Sequence, residues 1–239
     1  MTRLNRGCFV WLAALLMVGW LVSGALAFDF LGTSTGVFNN PAGPAAMVTT
    51  GVGTNFFTWG DPNGFGTGPS SLGFTGTAFS NLFETEFSFG TLNYFNGTIV
   101  HGTGADSVDL VATLNFTTPT GVTQNFTFPL QLINNQNIGT PEENADIVFL
   151  NTPFDPTAHF NVGGIDYFFL FTRFGNVGGD GFITTADKFH VLENASASAD
   201  MFGILTATPP DNPVPVPPSI LLLGSGLLGL MGIRKFKKS

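Results

Sequence analysis

The chain of 239 residues has little charge and almost no cysteine. Asp, Glu, Lys and Arg make up only 10% of the residues, too few for a coiled coil or for long surface helices. One cysteine leaves no partner for an intramolecular disulfide. Eight basic against sixteen acidic residues argue against nucleic-acid binding, because phosphates are contacted by Lys and Arg.

The residues that are abundant favour a folded β-domain. Apolar residues make up 44% of the chain, which argues against disorder and allows a hydrophobic core. The 27 phenylalanines and 31 glycines, together with threonine and valine, favour strands joined by tight turns. A buried phenylalanine contributes about 1.5–3 kcal/mol, so a core of many phenylalanines does not need disulfides.

The N-terminus has the three parts of a secretory signal peptide. Two arginines precede an apolar run over residues 8–26, and Ala25 and Ala27 are the small residues that a signal peptidase recognises. We expect residues 1–27 to direct the chain through the Sec translocon and to be removed after Ala27. The mature chain would then lack the one cysteine. An uncleaved N-terminal membrane helix is the alternative.

The C-terminus also has three parts. Residues 209–218 are rich in proline, which predicts an extended, semi-rigid spacer. Residues 219–233 are apolar and uncharged, and residues 234–239 form a basic tail. A helix over the apolar part is about 22 Å long, so it spans the ~30 Å hydrocarbon core only with local thinning. The basic tail is expected on the cytoplasmic side.

This end of the chain resembles the PEP-CTERM class of bacterial sorting signals. The likeness rests on Pro-Val-Pro-Pro-Ser, an apolar helix with Gly-Ser-Gly-Leu-Leu-Gly-Leu, and the basic tail, and it is closest to the Val-Pro-Leu-Pro-Ala variant. Val214, Pro215, Pro217 and Pro218 fall on the short motif, while Val216 stands in place of the usual Glu. The resemblance implies a Gram-negative protein that passes through the inner membrane to the cell surface or medium, its tail removed by an exosortase-type protease. A tail that stays as a membrane anchor is the alternative.

Residues 28–208 are interpreted as one domain of short strands. Apolar and polar residues alternate over residues 107–117 and 124–133, and the turn formers Pro119 and Gly121 separate the two runs. This pattern predicts an antiparallel pair. Pro129 lacks a backbone donor, which suggests a sheet edge or a bulge at that point.

Further strand signals complete the prediction of fold. Asn96-Gly97 predicts a hairpin between residues 87–94 and 98–101. Additional strands are predicted at residues 146–150, 165–174 (as a central strand), 188–192 and 199–206. Many short strands with Gly and Pro turns favour an all-β fold, an antiparallel β-sandwich of jelly-roll or Ig-like kind. The signal helix and the C-terminal transmembrane helix would flank it.

Several segments together resemble the bacterial "choice-of-anchor K" domain. They are Phe-Thr-Trp-Gly-Asp-Pro at residues 57–62, Ser-Ser-Leu-Gly-Phe-Thr-Gly at 70–76 and Phe-Gly-Thr-Leu-Asn-Tyr-Phe-Asn-Gly-Thr-Ile at 89–99, with Asp-Ile-Val-Phe at 146–149 and the strand at 168–174. The resemblance implies an exported all-β domain of unassigned biochemical role. It carries over no catalytic residue.

Calcium is the one cofactor for which the domain offers candidate ligands. An acidic exported β-protein supplies oxygen ligands, and the glycine-rich loop 175–181 carries Asp180, with Asp187 nearby. The loop lacks the spacing of an EF-hand, so a turn held by aspartate hydrogen bonds is the alternative. The three histidines do not stand at zinc-ligand spacing.

The sequence supports two hypotheses about function from different classes. The first is a non-enzymatic cell-surface or biofilm-matrix protein. The second is a carbohydrate-binding module that binds exopolysaccharide, with Trp59, Tyr94 and Tyr167 stacked on sugar rings. Burial of Trp59 in the core is the other interpretation, so exposure discriminates between the two.

A hydrolase is the third hypothesis. Two carboxyl groups about 5–10 Å apart in a cleft can hydrolyse a glycosidic bond. The candidates are Glu84, Glu86 and Asp109. The alternative is that the two glutamates lie on a solvated strand face.

Overall fold

The computed structural model describes residues 29–150 and 159–207 of the chain. These residues form strands, turns and loops, which confirms the predicted all-β class. The described ranges contain no helix long and apolar enough to cross a membrane. Outside them lie the two predicted terminal helices, the predicted cleavage site at Ala25 and Ala27, and the sorting motif at Val214, Pro215, Pro217 and Pro218.

Fourteen strands build the described part of the domain. In chain order they are β1 (Asp29–Ala42), β2 (Thr49–Thr50), β3 (Phe56–Trp59), β4 (Ser70–Gly76), β5 (Ala78–Leu82), β6 (Glu86–Asn96), β7 (Ser107–Thr118), β8 (Val122–Ile133), β9 (Asp146–Leu150), β10 (His159–Val162), β11 (Ile165–Gly179), β12 (Gly181–Thr185), β13 (Lys188–Val191) and β14 (Ala195–Thr206).

The strands form two seven-stranded antiparallel sheets that pack as a sandwich. The first sheet has the order β12-β13-β9-β8-β7-β1-β5. The second has the order β10-β11-β14-β6-β4-β3-β2. Alternation in β7 and β14 turns apolar side chains toward the other sheet, and the outward positions are mostly polar, as expected for sheets covered on one face.

The strand predictions based on alternation are confirmed. β7 and β8 form the expected antiparallel pair, in unbroken register from Ser107 opposite Gln131 to Phe116 opposite Val122. β9 has the predicted bounds, β11 and β14 contain the predicted segments 165–174 and 199–206, and β13 contains all but the last residue of the predicted segment 188–192. β11 lies between β10 and β14. Period-2 patterns were informative here because one face of each strand meets the core.

The prediction for Pro129 is wrong as stated, because β8 is an interior strand with no bulge against β7. Pro129 pairs with Asp109 on one side. On the other side, the described pairing with β9 runs from Leu130 opposite Leu150 to Ile133 opposite Ile147. The β7–β8 ladder therefore accommodates proline at this position without a break in register.

The hairpin predicted at Asn96-Gly97 does not form. β6 ends at Asn96 and pairs with β4 and β14, and the residues after Gly97 form a loop. Asn96 is fully buried, and Gly97 donates its N–H to the Ser70 hydroxyl. Neither residue has the positive φ that a two-residue Asn-Gly turn requires.

The core between the sheets consists largely of aromatic rings. Phe169 of β11 lies 5.0 Å from Phe89 and 5.7 Å from Phe87, both on β6 of the same sheet, measured between ring centroids. Across the sandwich it lies 5.1 Å from Phe126 and 6.0 Å from Phe128 on β8. These edge-on and tilted contacts join the sheets without a covalent link.

Small residues let β1 approach the second sheet closely. Ser34 is buried, donates to the Phe89 carbonyl and accepts the Thr77 N–H at 2.9 Å. A Cβ atom on Gly36 would lie 2.6 Å from the Phe74 ring. The absence of a side chain at Gly36 is therefore what allows that ring to occupy the core.

Candidate functional site

The three predicted sugar-stacking residues lie in the core. Trp59 is 0% exposed, Tyr94 2% and Tyr167 6%. Trp59 stacks on Phe57 with ring centroids 5.7 Å apart, and its Nε1 donates to Asn134 Oδ1 at 3.0 Å. Because no ring face is open to solvent, these residues do not supply the sugar platform predicted for them.

The two predicted calcium ligands are not brought together. Asp180 follows β11 and Asp187 lies in the turn after β12, so the five residues of β12 separate them. An extended strand of that length spans about 16 Å, too far for one cation. Asp187 instead accepts the Thr185 hydroxyl at 2.6 Å, which is the predicted turn alternative. In the described ranges no three His, Cys, Asp or Glu side chains group around a possible metal ion.

The candidate hydrolytic carboxylates are on different surfaces. Asp109 lies on β7 of the first sheet and accepts a hydrogen bond from Asn40 at 3.0 Å. Glu86 lies on β6 of the second sheet, where Arg173 binds it at 2.7 Å and holds the pKa of its carboxyl below the usual value. Glu84 occupies a turn with a φ of 60°. The structure therefore assembles no cleft that contains these three groups.

His190 is the buried histidine among the described residues. Its ring stacks on Phe182 with centroids 4.6 Å apart, and Nε2 lies 2.8 Å from the Thr184 hydroxyl. Burial lowers the pKa of its imidazole, and Lys188 adds to that effect. These contacts fit a structural role within the β12–β13 hairpin.

A shallow groove of about 610 Å³ crosses the outer face of the second sheet. It follows one row of paired residues across β3, β4, β6, β14 and β11, namely Phe56, Gly73, Asn93, Ser198 and Gly178. At about 4.8 Å per strand the row is about 19 Å long. The two glycines form a floor without side chains, so a ligand can approach the backbone there.

The walls of this outer-face groove combine exposed rings with polar side chains. Phe56 is 53% exposed and stands beside Gly73, and Phe95 lies one row away. Asn93 on the floor and Ser196 on the wall offer amide and hydroxyl groups. Sequence alone could have found Phe56, because Phe57 and Trp59 face inward on β3 and alternation turns Phe56 outward.

A second cavity, the end cleft, has about 810 Å³ and lies where β6 and β8 end and β9 begins. Its lining includes Asp106, Asn135, Asp146 and Glu193, with His101 also on the wall. Asp146 is 4% exposed and accepts the Asn135 N–H at 2.6 Å. This cleft did not figure in the sequence predictions, because its residues come from four separate loops and strand ends.

Electrostatics mark Asp146 as the unusual group of the end cleft. Burial raises the pKa of its carboxyl to about 7, the Asn135 N–H opposes the rise, and the negative charge of Glu193 adds to it. The pKa of Tyr94 is raised well above its usual value by burial and then by the charges of Asp146 and Glu193. Asp146 and Tyr94 are thus poorly solvated, and both feel the negative charge of Glu193.

The sequence matches no protein-family model. No curated protein gives a significant match either. The two resemblances described from sequence stay predictions.

Proposed function

We propose that the protein is an exported, C-terminally sorted bacterial protein of the cell surface or extracellular matrix, with a non-catalytic β-sandwich. The observation that carries this proposal is the spacer, apolar segment and basic tail at the C-terminus, paired with a signal peptide at the other end. The described sheets are consistent with a jelly-roll or Ig-like domain held between those signals. The partners proposed are the Sec translocon, signal peptidase and an exosortase-type protease, before release or attachment outside the cell.

Variants of the sorting motif test this proposal. Alanine at Val214, Pro215, Pro217 and Pro218 is expected to leave the full-length chain in the membrane fraction, because the protease would lose its recognition sequence. Alanine at Pro209 and Pro210 changes the same spacer outside the motif and is expected to leave processing intact. An unchanged distribution between membrane and medium in the motif variant would refute the proposal.

Saccharide binding is the second candidate function, and the outer-face groove favours it. An open row about 19 Å long, with a flat glycine floor, suits an extended chain of linked sugar rings better than a compact ligand. Phe56 offers a ring face for stacking, and Asn93 and Ser198 offer hydrogen bonds to hydroxyl groups. The ligand proposed is a polysaccharide of the surface or biofilm matrix.

Binding of exopolysaccharide purified from the organism that produces the protein, measured by affinity electrophoresis, tests the groove. Phe56→Ala removes the ring and Gly73→Val fills the floor, and both are expected to abolish retardation of the protein. Phe65→Ala removes a ring of similar exposure, 51%, outside the groove, and is expected to change nothing. Equal effects of Phe56→Ala and Phe65→Ala would exclude the groove as the binding site.

A further inference from the structure

Two carboxylates, Asp146 and Glu193, line the end cleft, and Asn96 is buried directly before Gly97 and Thr98 of the same lining. Asn96 is the last residue of β6, Asp146 is the first residue of β9, and Glu193 lies in the loop between β13 and β14. The Asn96 Nδ2 donates to the Val191 carbonyl at 3.0 Å, and Val191 is the register partner of Asp146. The Asn96 amide therefore contacts β13 at the residue whose register partner on β9 is Asp146.

Glu193 lines the same cleft from the loop between β13 and β14. Its Oε1 accepts the Thr98 hydroxyl, two residues after Asn96. Tyr94 precedes Asn96 by two residues and points inward from the same strand; burial raises the pKa of its hydroxyl, and the charges of Asp146 and Glu193 add to that rise. We call Asn96, Asp146 and Glu193 the end-cleft cluster.

The polar atoms of this cluster are incompletely satisfied. Asn96 is 0% exposed, and its Oδ1 is the buried side-chain atom for which the described residues supply no hydrogen-bond partner. A buried acceptor without a partner costs about 1–3 kcal/mol, so natural proteins rarely keep one without a reason. A cation bound among the three side chains would supply the missing positive partner.

The described residues offer the cluster little positive charge. They contain one arginine and one lysine. Arg173 is bound to Glu86, and the Lys188 ammonium stands 5.8 Å from the Phe149 ring centroid. Neither residue lines the cleft, whose wall carries His101 and the further carboxylate Asp106.

We propose that the end-cleft cluster binds a calcium ion through the carboxylates of Asp146 and Glu193 and the amide oxygen of Asn96. Calcium takes about six to eight oxygen ligands in flexible geometry, and carboxylates, amide oxygens and water are its usual ligands. The cleft opens to solvent, so water molecules complete the coordination. The ion would stabilise the ends of β6 and β9 against each other, and hence the two sheets.

Terbium luminescence on the full chain in mild detergent tests this site. Tb³⁺ replaces Ca²⁺ on oxygen ligands and emits when a nearby aromatic ring is excited, and Tyr94 lies beside the cluster. We expect sensitised emission that Ca²⁺ displaces with an apparent Kd of about 10⁻⁴ to 10⁻³ M, as in extracellular calcium modules. Absence of sensitised emission would overturn the proposal.

Two single substitutions distinguish a built site from general attraction by an acidic surface. Glu193→Gln removes one charge from a half-buried loop residue, keeps the acceptor for Thr98, and is expected to weaken Ca²⁺ binding about tenfold or more. Asp106→Asn removes an equal charge from the cleft wall and is expected to leave the affinity unchanged. Equal weakening by both substitutions would overturn the assignment, as would no weakening by Glu193→Gln.

Because the outer-face groove lies on the outer face of the second sheet, away from the end cleft, failure of saccharide binding would leave the calcium result unaffected.

Discussion

At the scale of single residues, Phe169 joins the two sheets through ring contacts on both sides of the sandwich. Phe169→Ala removes those contacts and leaves a cavity, so it is expected to lower the free energy of unfolding by about 3–5 kcal/mol. Chemical denaturation monitored by Trp fluorescence measures the change. Phe65→Ala, at an exposed ring, is the control and is expected to change stability by less than about 0.5 kcal/mol. Similar losses in both variants would contradict the packing described.

Asp146 makes stability depend on pH in an unusual direction. Its pKa is about 7 in the folded chain and near 3.8 when unfolded, so between these values the folded state holds a proton that the unfolded state has lost. In the absence of calcium, this group therefore lowers the free energy of unfolding as pH rises from 4 to 7, by at most about 4 kcal/mol.

Asp146→Asn isolates that contribution. Asparagine keeps the acceptor for the Asn135 N–H but cannot ionise. His190 has a lowered pKa and opposes the trend, since its effect raises stability as pH rises, but it is present in both proteins. In denaturation experiments with a calcium chelator present, the free energy of unfolding of the variant is expected to rise relative to that of the parent chain as pH rises from 4 to 7. A constant difference across that range would contradict the burial of an ionisable group at this position.

At the scale of elements, a glycine on β1 faces the core, whereas a glycine on β4 faces the open outer-face groove. Gly36→Val would place atoms against the Phe74 ring in the core, and overpacking of this kind costs about 1–3 kcal/mol. Gly73→Val projects into the open groove, where a Cβ meets the Phe56 ring at 3.5 Å, and stability is expected to change by less than about 0.5 kcal/mol. Thermal unfolding of the two variants compares them directly, and equal losses would contradict the orientation of β1.

The elements also show which parts of the fold a sequence can reveal. β7 and β8 were predictable because each turns apolar residues to the core at every second position, and β9 because it is a short apolar run. β1 was not predicted, because its inward positions include Gly32, Ser34 and Gly36, which carry no apolar side chain. The prediction of a turn at Asn96-Gly97 was wrong because the buried hydrogen bond from Asn96 to the Val191 carbonyl outweighs the local turn preference.

The candidate sites were less predictable than the strands. Trp59 resembled a sugar-stacking residue by its type, but only its contacts with Phe57 and Asn134 place it in the core. The end-cleft cluster unites residues up to 97 positions apart in sequence, numbered 96, 146 and 193. Pairing of distant strands creates that proximity, and no local spacing records it.

At the scale of the whole molecule, stability rests on packing and not on covalent links. The chain has one cysteine, so an intramolecular disulfide is impossible, and the aromatic core joins the sheets. The melting temperature is therefore expected to be the same with and without dithiothreitol. Differential scanning fluorimetry measures it, and a clear drop on reduction would show that a disulfide between chains contributes.

Charge is distributed along the chain in a way that suits export. All sixteen acidic residues lie between Asp29 and Asp211, and that stretch contains only Arg173 and Lys188 as basic residues. The other six basic residues lie in the two end segments, where they would orient the chain in a membrane. Once both ends are removed, the exported body would be more acidic than the whole chain, which favours solubility.

The intact mass of the protein recovered from the organism that produces it tests the account most directly. If both ends are sorting signals, the protein on the cell surface or in the medium begins at Phe28 and ends within or just after residues 209–218. Its mass then lacks the signal peptide, the apolar segment and the basic tail. A recovered chain that still ends at Ser239 would contradict the proposed sorting.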